Sequence, residues 1–235
     1  MLPLPRVAVA ACDEGPLAQS VRLTYAVRAT RGPLGLDGES EIAFLRLPGR
    51  RYRMDAHTDS LLYRARQSSI GRIDSDGLVP ERYTEQSGRR PVAVTTLDWQ
   101  AGQLRFTQTQ DVLRTEPGLQ DRLSHVLHLA QLVQPGSRTV PVALRVAGVR
   151  GVATYGFEAR GRVVVDVGLG RFDTWHFERP AADGHDRLDV WLAPALCGLP
   201  VKQRFADDRG LVVQSELVSV LFGAEAEAPP VRAAR

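Results

Sequence analysis

The chain has 235 residues, 43% of them hydrophobic and 24% charged, with a formal net charge of +3. That is the composition of an ordinary globular chain, long enough to bury a sizeable core. Its cations are interleaved with acids and show no RNP, helix-turn-helix or zinc-finger spacing, so no nucleic-acid partner is expected; no apolar run approaches the roughly 20 residues that a membrane-spanning helix needs.

The first 16 residues lack periodicity and are expected to be a flexible N-terminus. Val9-Ala10-Ala11-Cys12 has the pattern of a lipoprotein cleavage site. The apolar stretch before it is short and is broken by Pro3 and Pro5, so a working signal is not expected. Cys12 lies in this segment, and a disulfide to the other cysteine, Cys197, is not expected.

From Val21 the text alternates. Val21, Leu23, Tyr25 and Val27 share one face, with Arg22, Thr24 and Arg28 on the other, as in a half-buried strand. "RGPLGLDGES" reads as a turn cluster, "EIAFLRL" as a second strand, and "RYRMDAHT" as a third with Tyr52, Met54 and Ala56 inward. "LLYRARQSSIGRI" continues as a fourth. "PVAVTTLDW" and "QLRFTQ" flank "QAG" as a hairpin.

The period changes once. In "PGLQDRLSHVLHLAQLVQPG", Leu119, Leu123, Val126, Leu127, Ala130 and Val133 fall at helical spacing. Pro117 and Pro135-Gly136 give the start and stop signals of a helix of about 16 residues. Strands then resume at "TVPVALRVAG", "GVATYGFEA", "GRVVVDVG", "RFDTWHFERP", "RLDVWLAP", "PVKQRFADD" and "LVVQSELVSVLF". Residues 224–235 lack aromatics and period and are expected to be a disordered tail. The sum is about a dozen strands and one helix, with no helix per crossover as a parallel sheet would require. The expected fold is therefore all-β: one domain over 17–223, an antiparallel curled sheet or barrel, with an amphipathic helix covering or plugging it.

A phrase occurs twice, as "DGLVPERYTE" and as "CGLPVKQRFADDRG". Gly77 and Gly198 read as turn residues, and Pro80 and Pro200 as strand corners, so the phrase is read as backbone punctuation.

Three segments, "SSIGRIDSDGLVPERYTE", "QDRLSHVLHLAQLV" and "RLDVWLAPALCGLPVKQRF", occur in this order at suitable distances. Together they resemble the bacterial family catalogued as domain of unknown function 3108. That family shows a "GxIxxxGLxPxRY" segment, a "DxLSxxxxL" helix and a late "WLAPxxxxLPVR" strand pair. The resemblance implies a β-rich exported protein of Gram-negative bacteria, placed in the periplasm or cell envelope. It brings no catalytic residue. The N-terminus here lacks the hydrophobic anchor common in that family.

Candidate chemistry is thin. His125 and His128 with Asp121 have the spacing of metal ligands on a helix, but no fourth ligand is at hand and His125 is expected to be exposed. His57, Asp59 and Ser60 are adjacent, which a catalytic triad does not tolerate. The glycines of "GVRGVATYG" and "VGLGRFD" open no helix and are read as turns or bulges. Glu158, Asp166, Asp173 and Glu178 could pair as glycosidase carboxylates, or simply be solvated. The large aromatics Tyr25, Phe44, Tyr52, Tyr63, Trp99, Phe106, Trp175, Phe177 and Trp191 fill a core or line a cavity.

The leading expectation is a non-enzymatic envelope protein without cofactor or metal. It would bind a lipid or other hydrophobic ligand, or an envelope protein partner, in the curled sheet. Leu123, Leu127, Tyr25, Tyr52, Trp175 and Trp191 would line the cavity. The alternatives are a carboxylate-based hydrolase of an envelope polymer and a structural interaction module.

Overall fold

The computed structural model describes residues 12, 15–60, 64–133, 141–181 and 186–227. Tyr63, Pro135-Gly136 and the end of the expected tail lie outside them. The first half of the chain is a meander: β1 (Val21–Arg31), β2 (Leu34–Leu47), β3 (Arg51–Ser60), β4 (Arg64–Asp74), β5 (Gly77–Ser87), β6 (Ala93–Asp98), β7 (Gln103–Phe106) and β8 (Val112–Arg114). A short strand, β9 (Gln120–Asp121), leads into the helix α1 (His125–Leu132). The second meander follows: β10 (Val142–Ala147), β11 (Val152–Val167), β12 (Gly170–Arg179), β13 (Arg187–Ala193), β14 (Leu199–Ala206) and β15 (Leu211–Phe222), closed by the short helix α2 (Ala224–Glu227).

All fifteen strands belong to one sheet. It runs from β8 back through β1, passes to β15, and descends to β9. Neighbours are antiparallel except β9, which pairs in parallel with β10. The seam between the two meanders is the long β1–β15 pairing, from Val21↔Phe222 to Arg31↔Leu211. The all-β expectation holds, with three local corrections. The "turn cluster" after Arg31 shrinks to Gly32-Pro33, because Leu34–Leu47 is continuous strand. "GVATYGFEA" and "GRVVVDVG" are one strand, β11, carrying a bulge between Ala159 and Gly161. Residues 224–227, expected in the tail, form α2; its Ala226 is fully buried and Glu227 accepts a hydrogen bond from Ser20 Oγ at 2.8 Å.

The sheet curls but does not close. Its ends meet through side chains: Thr95 Oγ1 on β6 donates to the carbonyl of Gly148, just past β10, at 2.9 Å. Leu97, Leu104 and Phe106 share a small apolar cluster with Leu119 and Ala147.

The helix lies inside the curl. It has eight residues, because Gln120-Asp121 is drawn into the sheet and Asp121 gathers the first backbone N–H groups before helical bonding begins. Leu123 and Leu127 pack into the larger cluster with Tyr25, Phe44 and Tyr52. Val126, Leu129 and Ala130 pack into a second cluster with Phe157, Phe177 and Val190. A helix apolar on both sides belongs in an interior, so α1 is a plug rather than a cover. His125, expected to be exposed, is buried with it.

The cysteines are also a correction: Cys12 and Cys197 form a disulfide spanning 185 residues of sequence. It places Cys12 beside the 3-10 turn Pro194–Leu196, and Leu17 lies in the core.

The repeated phrase has one backbone geometry. In the β4–β5 pair Ile70 faces Arg82 and Gly71 faces Pro80, leaving Glu81 as the bulged residue. In the β13–β14 pair Trp191 faces Lys202 and Leu192 faces Pro200, leaving Val201 bulged. Both prolines therefore sit at bulges, where a missing N–H breaks no ladder. Each proline carbonyl accepts an aromatic donor: Trp99 Nε1 at 2.6 Å for Pro80, and Tyr25 Oη at 2.8 Å for Pro200.

Gly77 has a further role. Its φ is +120°, and a Cβ there would lie 2.8 Å from Nδ1 of His128 on the plug. Gly210, at φ +79°, faces open space. Gly77→Val should therefore cost roughly 3 kcal/mol or more and Gly210→Ala only about 1 kcal/mol, since the second carries backbone strain alone. Urea unfolding of the two variants measures the difference.

Candidate binding cleft

The interior polar groups bond to one another and to the backbone. Asp121 is fully buried. Its Oδ1 accepts the N–H groups of Leu123 and Ser124, both at 2.8 Å, and its Oδ2 accepts Ser69 Oγ–H at 2.5 Å. Ser69 has one proton to give, so Tyr52 Oη donates to Ser69 at 2.8 Å. Burial raises the Asp121 pKa above the ordinary carboxylate value, and these hydrogen bonds oppose the rise. Burial, with Asp121 nearby, drives the Tyr52 pKa well above its ordinary value.

The plug is also tied to β5 at Leu78. Gln120 Nε2 donates to the Leu78 carbonyl at 2.8 Å, and the Leu78 N–H donates to His128 Nδ1 at 3.3 Å. His125 Nδ1 meets the Arg122 carbonyl at 3.0 Å, so Nδ1 carries the proton there. The Asp121, His125 and His128 trio thus faces three different ways. Among the described residues no group of three or more His, Cys, Asp or Glu side chains could hold a metal ion.

The other candidates are dispersed. His57, Asp59 and Ser60 lie along β3, with Asp59 paired to Arg64. Arg160 meets Glu158 along its own strand and Glu178 across the ladder, and Asp173 meets Arg162 across the same ladder, so these carboxylates are paired with cations. Four of the expected cavity residues, Leu123, Leu127, Tyr25 and Tyr52, are together in the main apolar cluster. Trp175 is half-buried against the second cluster under the guanidinium of Arg162. Trp191 is half-buried on another wall, stacked on His176 with ring centroids 4.5 Å apart.

Open space lies elsewhere, at the seam where the sheet fails to close. A cleft of about 610 Å³ separates the end of β5 and the start of β6 from the β10–β11 hairpin. Ala93, Val146, Val149, Val152 and Tyr155 give it apolar surface; Arg90, Arg122 and Arg150 give it cations, against one acid, Glu85. Arg122 and Glu85 approach to 3.8 Å. A second, smaller space of about 180 Å³ lies beside Leu17, Arg46 and Gly77. Neither is lined by the six expected residues.

Behind the larger cleft stands Arg179. It ends β12 on the inward face, in step with Phe177 and Trp175, and is 7% exposed. Its guanidinium carbon lies 4.0 Å from the centroid of the Tyr155 ring. His125 meets the same ring edge-on at 5.3 Å. One signal for Arg179 was legible: in "RFDTWHFERP" the period-two series Trp175, Phe177, Arg179 sets a cation on an apolar face. Tyr155 carried no such signal, because a lone aromatic on a strand does not show that it will meet a cation from a neighbouring strand.

This architecture defines a class: a β-barrel-like curled sheet, open at one seam and plugged by a helix. The chain belongs to the family described as protein of unknown function DUF3108, whose model matches residues 39–217. Among solved structures, a β-barrel-like protein of domain of unknown function DUF1849 from Brucella abortus is similar in fold. It is 14% identical, with 87% of this chain and 98% of that one covered and a TM-score of 0.58. MucB is 15% identical over 94% of this chain and 58% of its own, with a TM-score of 0.38. A putative outer membrane lipoprotein-sorting protein domain from Vibrio parahaemolyticus is 11% identical over 91% of this chain and 88% of its own, with a TM-score of 0.32. These last two likenesses are too slight to define a shared fold. No curated protein matches the sequence.

The plug gives the protein a definite acid response. Burial lowers both His125 and His128 from the ordinary 6.5 to about 4; the Arg179 charge adds to the effect on His125. Both are neutral in the fold and charged when unfolded between those values, so the unfolded state binds more protons there and stability falls as pH drops from 6.5 to 4. Each contributes about 3 kcal/mol across that window. The raised Asp121 pKa works the other way, only below its own folded value. Urea unfolding at pH 7 and pH 4.5 should show this loss, and His128→Asn, which keeps an acceptor for Leu78, should show a smaller one.

Proposed function

We propose that this is a non-enzymatic binding protein of the bacterial cell envelope, holding an amphipathic ligand in the seam cleft. The observation that carries the reading is the cleft itself: the sheet stays open at one place, and there the walls are both apolar and cationic. Its volume is that of a small-molecule site, in the range of roughly 300–1,000 Å³. An apolar wall takes a chain, and arginines suit an anionic head. The Cys12–Cys197 disulfide supports an oxidising compartment such as the periplasm, in line with the exported character that the family resemblance implies.

A second reading rests on the sheet's outer end. Edge strand β8 leaves Val112 and Leu113 at 55% and 40% exposure, and an uncovered apolar edge is a place for another chain to pair. In that case the protein is an interaction module.

Gly151 offers a direct test. It lines the cleft, and a Cβ built on it meets nothing within 4 Å, so a large side chain fills the cleft without strain. Gly151→Trp should keep the wild-type melting temperature and lose most uptake of a hydrophobic fluorescent probe. Unchanged uptake would place binding elsewhere, and no uptake by wild type would favour the β8 interaction module.

A further inference from the structure

Arg179 is a buried cation without a counter-charge. Among the described residues no carboxylate reaches its guanidinium; its recorded contact is the Tyr155 ring, and its Nε lies buried without a hydrogen-bond partner. The Tyr155 ring that it covers packs against the cluster built from Val126, Leu144, Phe157 and Phe177. A charge in such surroundings is costly unless something answers it. Arginines on the two neighbouring strands pair with an acid of this one: Arg160 on β11 and Arg187 on β13 share Glu178, which sits on the opposite face from Arg179.

A second buried group nearby is also unanswered. His125 Nδ1 donates to the Arg122 carbonyl, which leaves Nε2 of the neutral ring as a bare acceptor. That Nε2 is buried with no partner. His125 and Arg179 both touch Tyr155, and Tyr155 lines the seam cleft. One ring therefore joins the open cleft to two unsatisfied polar groups, one demanding an anion and one demanding a proton donor.

We infer that Arg179 and His125 form the head-group site of the seam cleft, reached past Tyr155, and that the occupant is a lipid whose head combines an anionic phosphate oxygen with a hydroxyl. The phosphate oxygen accepts from the Arg179 guanidinium, and the hydroxyl donates to His125 Nε2. The acyl chain lies along Val146, Val149 and Val152. The inference rests on the cleft being the binding site and adds to it the chemistry of the ligand. It also accounts for a cation that the fold alone does not need, since an apolar residue of similar length would fill the same space at less cost in desolvation.

The test uses calorimetric titration of the whole protein with dihexanoyl phosphatidylglycerol below its micellar concentration, with dihexanoylglycerol, which keeps the chains and a hydroxyl but lacks the phosphate, and with inorganic phosphate alone. Wild type should bind the phospholipid at least tenfold more tightly than the neutral lipid, and free phosphate negligibly. Arg179→Met should melt at or above the wild-type temperature and lose that tenfold preference while still binding the neutral lipid; Arg179→Lys should keep part of it. If Arg179→Met folds and keeps the full preference, or if wild type binds both lipids alike, Arg179 is only a structural cation and the inference fails while the cleft reading stands. Binding of inorganic phosphate as tight as that of the phospholipid would overturn the lipid assignment. No binding of either lipid by wild type would remove the cleft reading itself, and this inference with it.

Discussion

Everything in this fold depends on a carboxylate that cannot reach water. Asp121 is enclosed, and it remains acceptable only because three donors converge on it, two from the turn ahead of the helix and one from Ser69 on β4. An isolated buried carboxylate would cost several kcal/mol. Here its bonds do structural work at two levels. They satisfy the N–H groups of the turn that leads into the helix, and they fix that turn to Ser69 on β4. Gln120 and His128 repeat the attachment at Leu78, using both backbone polar groups of one residue. The helix is short, and its burial on both sides would not by itself select one orientation. The polar contacts do.

The plug in turn explains why the sheet curls without closing. A closed barrel of this many strands would enclose more space than side chains easily fill. The first meander together with β14 and β15 packs one side of the helix, and β10–β13 pack the other, which gives two apolar clusters. They share a ladder at β1–β15. At the opposite side β9 is drawn into pairing with β10, and β6 reaches it only through side chains. The residual gap is the cleft. Site and core are thus two outcomes of one packing problem.

Much of this was legible in the sequence. Period-two alternation gave β1 and β3 with their buried faces correct at Val21, Leu23, Tyr25, Tyr52 and Met54. Helical spacing found the plug, because Leu123, Val126, Leu127 and Ala130 must turn inward. It overextended the start, since the period cannot show that Asp121 will bond the backbone and that Gln120 will join a sheet. The repeated Gly-Leu-Pro phrase was correctly read as backbone chemistry; its matching bulges were not visible, since a bulge is a relation between two strands. The Cys12–Cys197 bond was missed because proximity across 185 residues has no local signature. The cleft was missed for a similar reason: its walls come from two hairpins at opposite ends of the sheet.

The central claim is that binding occurs at the seam and leaves the main apolar cluster untouched. Hydrogen–deuterium exchange with and without a bound amphipath tests this most directly. The account predicts new amide protection at 85–93 and 146–155, with no change in β1 or β3. Protection appearing instead at 21–27 and 52–56 would contradict it, because that would place the ligand beside Tyr25 and Tyr52, inside the core rather than at its open edge.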